Sequence, residues 1–454
     1  MNNHIGIVGI GVMGSNIALN FSDNDTNVSV YNKSRDKINK LISEDSSKNI
    51  SGFTDLEEFV KSIAKPRKIL ILVPSGEATN SVVENLFNFI EEKDTIIDGG
   101  NAYYLDSIDL GKKCSERGID FIGMGVSGGE TGARTGPALM LGYENKIPED
   151  LIAMISRIAA KADGQKCVGL YEGFGTGHFI KMLHNGIEYA EMQILAEAYN
   201  ILRAAGFNNI AASEFFINLK KEQQSSYLIE ITSNILKTQK DGEYLIDMIK
   251  PVANHKGTGK LTVETGLNYG FPLPSIFEAF NARVESNYQK IWPTTNKNIK
   301  IELNLKELQE AIYFSRLSTL TQGILFIEYF SKRENLEIKI GDVMQNWLGG
   351  CIIRSDLLRE IKSILKDSPQ NKSIVESKQI QKNLDLRIKN TKILVSHCIE
   401  NNIPTPVMYS SLNWYINSSS EFNPSSLIQA QRDYFGAHTV QLHEGDEFLH
   451  LNWD

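Results

Sequence analysis

Short apolar segments rich in β-branched residues alternate with amphipathic segments along the first third of the chain. The apolar segments of strand length are Ile5–Ile10, Val28–Tyr31, Ile69–Val73, Thr95–Asp98 and Phe121–Val126. Strands that alternate with helical segments predict βαβ units and a parallel sheet. The glycine-rich segment Gly173–Gly177 ends this pattern. We therefore predict a doubly wound α/β domain over residues 1–176.

The hydrophobic period changes after this boundary. From His178 to about Ala205 the apolar positions follow a helical period, and further helical segments continue to about Trp414. This pattern predicts a large all-α domain over residues 177–428. The C-terminal tail, residues 429–454, is too short for a hydrophobic core of its own, and we expect it to pack on another surface. Its aromatic residues include Tyr434, Phe435, Phe448 and Trp453.

Composition and charge narrow the possible functions. The chain has 454 residues, of which 41% are hydrophobic and 22% charged, as in ordinary globular proteins. A net charge of −8 disfavours a nucleic-acid-binding protein, which needs a basic surface. The four cysteines form no CxxC pair, and no apolar segment approaches the ~18 residues of a membrane span. We expect a protein of the reducing cytoplasm that binds neither nucleic acid nor membrane.

A glycine motif follows the first predicted strand. Gly9-Ile10-Gly11-Val12-Met13-Gly14 lies between that strand and a helical segment. Glycines in this setting allow a tight turn and the close approach of a pyrophosphate to the helix N-terminus. The context favours a Rossmann-type dinucleotide-binding domain over a glycine-rich turn without a ligand.

The end of the second predicted strand bears on the choice of cofactor. Sites that prefer NAD carry Asp or Glu here to accept hydrogen bonds from the ribose hydroxyls. This sequence has Asn32-Lys33-Ser34-Arg35 instead. A cationic turn with a hydroxyl suits the 2′-phosphate of NADP, so we predict NADP rather than NAD. The alternative is that Lys33 and Arg35 are solvated charges at the start of a helix.

Two further strand ends carry polar or glycine-rich turns. Ser127-Gly128-Gly129 follows one strand, and Asn101 follows Asp98-Gly99-Gly100 after another. Ligands of open α/β sheets bind at the carboxyl ends of strands. The backbone N–H groups and the hydroxyl of the first turn suit a carboxylate, and Asn101 is placed to contact nicotinamide or substrate. Ordinary turn chemistry is the alternative for both segments.

The most informative segment lies near the start of the predicted long helix. Lys181, His184, Asn185 and Glu188 fall on one helical face. An amine, an imidazole, an amide and a carboxylate therefore converge. Apolar residues beside them leave this face little room for full exposure, which disfavours the alternative of a solvated surface.

Cations farther along the chain supply the local positive charge that an anionic ligand needs. Lys256-Gly257-Thr258-Gly259-Lys260 resembles a phosphate-binding loop in composition without being a Walker motif, and Arg283 follows it. Arg432 and His438 lie near the C-terminus. Each cation alone is equally consistent with a surface charge, but together they indicate a site for an anion. The sequence offers no His/Cys cluster for a metal.

In order and spacing, these residues resemble the decarboxylating 6-phosphogluconate dehydrogenase family over essentially the whole chain. The motifs that carry the resemblance are Gly9–Gly14, Val126–Glu130, Gly177–Tyr189, Ser226–Thr232, Lys256–Lys260, Gly349–Ser355 and Ile428–Thr439. The resemblance implies conversion of 6-phospho-D-gluconate to ribulose 5-phosphate and CO2 with reduction of NADP, a step of the pentose phosphate pathway. It also implies a homodimer in which the C-terminal tail reaches the partner subunit.

The resemblance further implies roles for individual residues. Lys181 is implied as the general base on the 3-hydroxyl and Glu188 as the acid that protonates the enediol. The residues implied to bind the substrate are Asn101, Ser127, Gly128, Gly129, His184, Asn185, Tyr189, Lys256, Thr258 and Arg283, with Arg432 and His438 of the partner subunit. The residues implied to bind the cofactor are Gly9, Gly11, Val12, Met13, Gly14, Asn32, Lys33, Ser34, Val73 and Asn101.

Some positions depart from the family pattern. Lys33 stands where Arg is common, Val73-Pro74-Ser75-Gly76 lacks the usual Lys, and Leu348 replaces a customary Arg. The first two departures concern cofactor selectivity rather than the reaction. A non-decarboxylating β-hydroxyacid dehydrogenase and a catalytically silent dinucleotide-binding regulator are the competing functions. The first shares the glycine motif, the serine–glycine loop and a helix lysine, but it would not need the Lys256–Lys260 loop and Arg432. The second is disfavoured by the presence of Lys181, Glu188 and the distributed cations.

Overall fold

The computed structural model describes residues 3–221, 224–254, 257–288, 300–366 and 373–453. Its strands are β1 (Ile5–Val8), β2 (Val28–Tyr31), β3 (Ile50–Phe53), β4 (Lys68–Ile71), β5 (Thr95–Asp98), β6 (Asp120–Ser127), β7 (Ala138–Tyr143), β8 (Lys161–Ala162), β9 (Gln165–Lys166), β10 (Val168–Glu172), β11 (Gln239–Lys240), β12 (Glu243–Tyr244), β13 (Val440–Gln441) and β14 (Phe448–Leu449). Its α-helices are α1 (Val12–Asp23), α2 (Arg35–Glu44), α3 (Leu56–Lys61), α4 (Glu77–Leu86), α5 (Tyr104–Ser115), α6 (Gly129–Thr135), α7 (Glu149–Ile158), α8 (Thr176–Ala204), α9 (Asn209–Lys221), α10 (Tyr227–Lys237), α11 (Leu245–Met248), α12 (Thr258–Tyr269), α13 (Pro274–Glu285), α14 (Leu305–Arg333), α15 (Ile340–Trp347), α16 (Asp356–Lys366), α17 (Lys378–Glu400), α18 (Pro406–Ser418) and α19 (Ser425–Gly436). Short 3₁₀ helices occupy Ser286–Tyr288 and Ile374–Glu376.

An eight-stranded sheet with the order β10-β7-β6-β5-β4-β1-β2-β3 forms the N-terminal region. The parallel pairing is confirmed for the five predicted strands, β1, β2, β4, β5 and β6, and β3 extends this parallel part of the sheet to six strands. The structure thus adds β3 at one edge and two strands at the other, where β7 pairs antiparallel with β6 and β10 pairs parallel with β7. Residues 128–137 connect β6 to β7, and this connection is shorter than the crossover that a parallel pair needs.

Alternate residues of the strands contribute to separate apolar cores. On β4, Leu70 belongs to the core that contains Ile17 of α1. Its neighbour Ile69 belongs to the core that contains Phe59 of α3 and Val83 of α4. Because successive side chains of a strand point to opposite faces, helices must cover both faces of the sheet. The predicted doubly wound α/β fold is therefore confirmed.

The helical region is organised around two 29-residue helices, α8 and α14, which pack against each other. The strands β6 and β7 lie on one side of α8, while α12, α13 and α14 surround the rest of it, so most of its side chains are buried. Phe179 of α8 and Phe330 of α14 stack with ring centroids 3.7 Å apart in this core. In the part of the chain that the structure describes, no helix has the length and apolar character to cross a membrane.

Glycines of β6 set how closely α8 approaches the sheet. A Cβ at Gly123 would lie 2.4 Å from the carbonyl oxygen of Phe174, and a Cβ at Gly125 would lie 2.4 Å from Lys181 Cβ. Larger residues would push the helix away, because neither distance allows a side chain. The packing therefore brings the end of β6, where Ser127 lies, beside the first turns of α8.

The C-terminal tail folds around one buried carboxylate. Asp433 of α19 accepts hydrogen bonds from the backbone N–H groups of Thr439 (2.8 Å) and Leu451 (3.0 Å). It also accepts from Trp453 Nε1 at 2.9 Å and lies 3.0 Å from His450 Nδ1. Burial alone would favour the neutral carboxyl, but these partners outweigh it and hold the pKa of Asp433 well below its usual range. The tail is thus a small ordered unit around a single anion.

Candidate active site

A chain of hydrogen bonds joins the start of α8 to the end of β6. Lys181 Nζ donates to Asn185 Oδ1 over 2.8 Å, and His184 Nδ1 lies 3.4 Å from the same oxygen. The other ring nitrogen of His184 is hydrogen-bonded to Ser127 Oγ at 3.2 Å. All four side chains are buried. Burial and the nearby Lys181 hold the pKa of His184 well below its usual range, so the imidazole is neutral.

Glu188 extends this polar face one turn beyond His184. Its Oε2 lies 3.8 Å from His184 Nδ1, and the side chain is mostly buried. Burial raises the pKa of Glu188 against the opposing effects of Lys181 and Arg283. Burial also lowers the pKa of Lys181 against the opposing effect of Glu188. Both shifts favour the neutral forms, which are the forms that a lysine base and a carboxylic acid must have.

A narrow cavity opens between the sheet and the helical region at this face. Its walls come from the turn after β5, from α8 and from the start of α12. The lining residues are Asn101, Ala102, His178, Lys181, Met182, Asn185, Thr258 and Leu261. The structure therefore brings together four of the residues that the sequence predicts for the site, and these are Asn101, Lys181, Asn185 and Thr258.

The serine–glycine loop after β6 is supported by a distant glycine. Gly128 and Gly129 have φ values of 119° and 62°, in the region that favours glycine. A Cβ at Gly128 would lie 2.5 Å from the carbonyl oxygen of Gly350. The same oxygen accepts a hydrogen bond from Ala138 N over 3.0 Å. The backbone of Gly350 thus packs against the loop that follows Ser127 and supports it.

Beyond Glu188, α8 presents Tyr189 to α12 and α13. The guanidinium of Arg283 lies 3.5 Å above the centroid of the Tyr189 ring, in a cation–π contact. A Cβ at Gly259 would lie 2.4 Å from the edge of this ring, so glycine lets α12 begin close to Tyr189. Burial lowers the pKa of Arg283, while Tyr189 and Glu188 favour its charged form. A cation and a phenol therefore lie next to the Lys181 cluster.

The start of α12 adds a helix N-terminus to the site. Gly257 precedes the helix with a φ of 89°, and Thr258 is its first residue. Helix N-termini favour anionic groups because their first N–H groups have no partner within the helix. Lys256, which the sequence places in the same loop, lies outside the described residues.

Arg432 and His438 are placed within the tail rather than beside Lys181. Arg432 Nη1 donates to Gln429 Oε1 over 2.9 Å, and the His438 ring lies 6.0 Å from the Phe435 ring. Both side chains are exposed. The exposed aromatic side chains of the tail include Tyr434, Phe435, Phe448 and Trp453. Within one chain, these two predicted phosphate ligands are separate from the cluster on α8.

The glycine motif forms the turn between β1 and α1. Gly9 has a φ of 96°, and a Cβ there would lie 2.7 Å from the carbonyl oxygen of Leu72. A Cβ at Gly14 would lie 2.0 Å from the carbonyl oxygen of Gly9, so the first turn of α1 packs directly on the loop. Gly11 caps α1 without a side chain, and Val12 after it is exposed. This open helix N-terminus fits a pyrophosphate.

The turn after β2 presents cations to solvent. Asn32 Nδ2 donates to the carbonyl of Ser34 over 3.4 Å, and Ser34 Oγ caps α2 by accepting from Lys37 N over 3.5 Å. Lys33 and Arg35 are exposed. Gly9 N donates a hydrogen bond to the carbonyl oxygen of Tyr31, the last residue of β2. The turn after β2 therefore lies next to the glycine loop. The surroundings suit a phosphate on the ribose better than free ribose hydroxyls.

Two family models cover nearly the whole chain. The model described as the NAD binding domain of 6-phosphogluconate dehydrogenase matches residues 4–171. The model described as the 6-phosphogluconate dehydrogenase C-terminal domain matches residues 177–453. The chain belongs to the 6-phosphogluconate dehydrogenase family.

Individual relatives agree with this assignment. The decarboxylating 6-phosphogluconate dehydrogenase of Staphylococcus epidermidis is 38% identical over 466 residues, and the alignment covers 100% of this chain and 99% of the relative. That of Staphylococcus aureus is 37% identical over 470 residues with the same coverage. The solved Plasmodium falciparum 6-phosphogluconate dehydrogenase has a TM-score of 0.92 at 32% identity, over 99% of this chain and 100% of that one. The resemblance seen in the motifs is therefore confirmed.

A more distant structure shares the fold alone. The 3-hydroxyisobutyrate dehydrogenase of Salmonella typhimurium has a TM-score of 0.50 at 16% identity, over 63% of this chain and 95% of that one. Fold likeness at this level carries no information about substrate. The assignment to the 6-phosphogluconate dehydrogenase family rests on the full-length matches.

The departures from the 6-phosphogluconate dehydrogenase pattern lie in different surroundings. Lys33 is exposed, whereas Leu348 is 3% exposed and belongs to the helical core, where an apolar side chain fits. Val73, which begins the turn that lacks the usual Lys, is partly buried against one apolar core of the sheet. Met13 of the glycine motif is partly buried against the other core. Thr79 Oγ1 donates to the carbonyl oxygen of Pro74 over 3.2 Å and so closes the turn that begins at Val73.

The structure also adds residues that the sequence predictions missed. His178 lies one helical turn before Lys181, lines the cavity and contacts Ser107. Helical spacing could have indicated His178, because positions 178, 181 and 185 share a face. The ring of Trp347 packs edge-on against His184 with centroids 5.8 Å apart. No local spacing connects residues so far apart in the sequence, so this contact needed the structure.

Proposed function

We propose that this chain catalyses the NADP-dependent oxidation and decarboxylation of 6-phospho-D-gluconate to ribulose 5-phosphate and CO2, a step of the pentose phosphate pathway. The observation that carries the proposal is the buried Lys181, which donates to Asn185 at the wall of the cavity. Relatives that align over the full length are named for this reaction. The Plasmodium falciparum enzyme has been solved in complex with its cofactor NADP+ and in complex with its substrate 6-phosphogluconate.

Lys181 is the proposed general base. A neutral amine can take the proton of the C3 hydroxyl while C3 gives up a hydride, and burial increases the neutral fraction by lowering the pKa of Lys181. A bound oxidised nicotinamide supplies the hydride acceptor. The product is a β-keto acid. Protonated Lys181 can then polarise the new carbonyl while the bond to the carboxylate breaks and CO2 leaves.

Glu188 is the proposed acid that protonates the enediol left after CO2 departs. Burial raises the pKa of Glu188, which keeps it protonated at a higher pH than an exposed glutamate. At the end of the cluster near Ser127 and His184, neutral groups that form hydrogen bonds suit the substrate carboxylate. The groups proposed to hold that carboxylate are Ser127, Gly128, Gly129, His184 and Asn185, with Asn101 facing both substrate and cofactor.

The phosphate of the substrate is proposed to bind at the opposite end. Tyr189, Thr258 and Arg283 provide a phenol, a helix N-terminus and a cation there, and Lys256 is proposed to join them. We further propose that Arg432 and His438 of the partner subunit complete this end in a homodimer. Their exposure within the chain and the exposed aromatic side chains around them support this arrangement.

The cofactor is proposed to bind along the ends of β1, β2, β4 and β5. The glycine loop offers a helix N-terminus without a side chain in the way, and the turn after β2 offers exposed cations. The residues proposed to hold NADP are Gly9, Gly11, Val12, Met13, Gly14, Asn32, Lys33, Ser34, Val73 and Asn101. We also propose a cytoplasmic location, which suits four cysteines that are buried and free.

Turnover of 6-phosphogluconate labelled with ¹³C at C1 tests the proposal. NADPH is followed by absorbance and labelled CO2 by mass spectrometry. We expect one CO2 for each NADPH. A non-decarboxylating dehydrogenase would form NADPH without CO2, and a silent regulator would bind NADP without turnover; either result would contradict the proposed reaction.

A further inference from the structure

A buried histidine that the proposed reaction does not use connects α8 to two segments of the N-terminal domain. His178 is 1% exposed. Its Nε2 lies 3.1 Å from the carbonyl oxygen of Gly100, and its Nδ1 lies 2.6 Å from Ser107 Oγ of α5. The imidazole is therefore held at both nitrogens, one by the turn after β5 and one by a helix of the sheet domain.

These two contacts fix the tautomer of the imidazole. A carbonyl oxygen can only accept, so Nε2 must carry the proton and donate to Gly100. Nδ1 then accepts from the hydroxyl of Ser107. Burial lowers the pKa of His178 and outweighs the opposing effects of Asp98, of the hydrogen bonds to the backbone of Gly100 and Met124, and of Asp106, so the ring is neutral. A neutral ring with one defined donor is what this geometry requires.

The surroundings are shaped to hold this ring. A Cβ at Gly123 of β6 would lie 3.0 Å from His178 Nδ1, so glycine leaves room for the imidazole. On the other side, Asp98 Oδ1 accepts from Gly100 N over 3.0 Å. The N–H and the C=O of Gly100 are thus both engaged. Because a peptide bond is planar, fixing the Gly100 carbonyl also fixes the start of Asn101.

Asn101 and His178 line the same cavity as Lys181. We propose that His178 is a positioning residue, which holds the Gly100–Asn101 peptide so that Asn101 faces the reacting groups beside Lys181. This inference rests on the proposed function, because it assigns Asn101 to the site of hydride transfer. His178 contacts neither substrate nor cofactor in this assignment and acts through the turn.

A matched pair of substitutions separates this role from simple space filling. In His178→Gln the side-chain amide can place a donor where Nε2 lies, so the bond to Gly100 is kept. In His178→Asn the shorter amide reaches only the position of Nδ1, so Ser107 keeps a partner and Gly100 loses one.

Misplacement of a reacting group by about 1 Å costs about 10²-fold in rate. We expect kcat/KM to fall about 100-fold in the Asn variant, mainly through kcat, and about fivefold or less in the Gln variant.

Hydrogen–deuterium exchange of the full-length protein gives a readout that does not depend on turnover. Residues 98–104 should exchange faster in His178→Asn than in wild type, and His178→Gln should resemble wild type. If the wild-type protein does not oxidise 6-phosphogluconate but the exchange contrast is present, the proposed function fails and the positioning of the turn stands. If the wild type is active and the two variants match in exchange and kinetics, the positioning role is wrong.

Ser107→Ala provides a second test should His178→Asn fail to fold. It keeps the imidazole but removes the hydroxyl that holds Nδ1. Loss of one buried hydrogen bond of about 1 kcal/mol corresponds to about a fivefold effect, so we expect kcat/KM to fall about fivefold and exchange at residues 98–104 to increase. Unchanged kinetics together with unchanged exchange would contradict the role of the Ser107–His178–Gly100 contacts.

Discussion

The cluster at the start of α8 and the C-terminal tail carry similar polar side chains in opposite surroundings. Lys181 and His184 are buried and hydrogen-bonded within the chain. Arg432 and His438 are exposed. Burial lowers the pKa values of Lys181 and His184, whereas exposed charges gain little from a partner while water surrounds them.

The difference teaches how the proposed site divides its tasks. Proton transfer at neutral pH needs groups with shifted pKa values, and the fold provides them by burying Lys181 and Glu188. Recognition of a phosphate needs permanent positive charge, which the tail offers at its surface through Arg432. Such a charge contributes strongly only when another surface excludes water around it. The cluster is complete within one chain, and the tail is proposed to become functional in a dimer.

The largest expected effect lies in the buried cluster. Lys181→Met should lower kcat about 10²–10⁴-fold, because it removes the proposed general base. Lys181→Arg keeps the positive charge but cannot become neutral, since the arginine pKa exceeds ~12. We therefore expect the Arg variant to be as inactive as the Met variant. Steady-state kinetics measure kcat, and fluorescence titration should show NADPH binding close to that of wild type in both.

A Lys181→Arg variant with a kcat near that of wild type would contradict the proposed difference between the buried cluster and the exposed tail. It would show that a positive charge is sufficient at this position and that burial of a titratable amine has no catalytic purpose. Loss of NADPH binding in both variants would instead assign Lys181 to the cofactor site.

The pH profile sharpens the account of the same cluster. kcat/KM should fall on the acid side as Lys181 gains a proton and on the alkaline side as Glu188 loses one. Burial lowers the pKa of Lys181 and raises that of Glu188, so both limbs lie nearer neutrality than for exposed groups. Glu188→Gln should lower kcat about 10²-fold and remove the alkaline limb, because glutamine does not ionise. An alkaline limb that persists in this variant belongs to another group.

A smaller effect is expected in the tail. Arg432→Ala should raise the KM for 6-phosphogluconate about 10- to 100-fold, since a hydrogen bond to a charged group contributes about 1.5–3 kcal/mol. Turnover of unphosphorylated gluconate should change little. Gln429→Ala is the control, because it removes the hydrogen bonds of Gln429 to Arg432 and to the carbonyl of Thr439 but leaves the guanidinium in place, and it should leave both KM values near wild type. Equal loss with both substrates would place Arg432 outside phosphate recognition.

The smallest effect is expected at the exposed turn after β2. Exposed ion pairs contribute about 0–1 kcal/mol, so Lys33→Ala should raise the KM for NADP by about fivefold or less. The KM for NAD should stay the same, because NAD lacks the 2′-phosphate. Lys40→Ala, an exposed lysine farther along α2, is the control and should affect neither. If NADP is used no better than NAD by the wild type, the cationic turn is only a solvated surface.

Much of the fold could be predicted because buried strands have a plain signature. Val28–Tyr31 and Thr95–Asp98 coincide with β2 and β5. The strands β7 and β10 were missed, since their direction and pairing depend on a short connection rather than on local composition. The edge strand β3 was also missed, because Ser51 and Gly52 interrupt its apolar pattern. The predicted start of the tail at residue 429 falls inside α19. The hairpin that follows is organised by Asp433, and a contact of this kind leaves no periodic pattern.

The site could be predicted where helix geometry turns spacing into proximity. Lys181, His184 and Asn185 are neighbours because residues three and four apart share a helical face. Contacts between distant segments, such as Gly350 behind the serine loop, depend on packing that spacing does not encode. For Arg432 the limit is different. Nothing in one chain's sequence specifies which subunit's site its side chain serves.

Subunit mixing tests most directly whether the buried cluster and the tail meet across a dimer. Inactive Lys181→Met chains are mixed with an equal amount of Arg432→Ala chains, and subunit exchange is verified by mass spectrometry. Activity is measured at a substrate concentration low enough that the Arg432→Ala parent, with its raised KM, is nearly inactive. In a two-fold dimer with shared sites, half of the dimers are mixed, and each mixed dimer has one intact site. We expect activity to return to about a quarter of the wild-type value. If exchange is complete, both parents are folded and activity stays at the sum of the parents, the tail does not complete the partner's site.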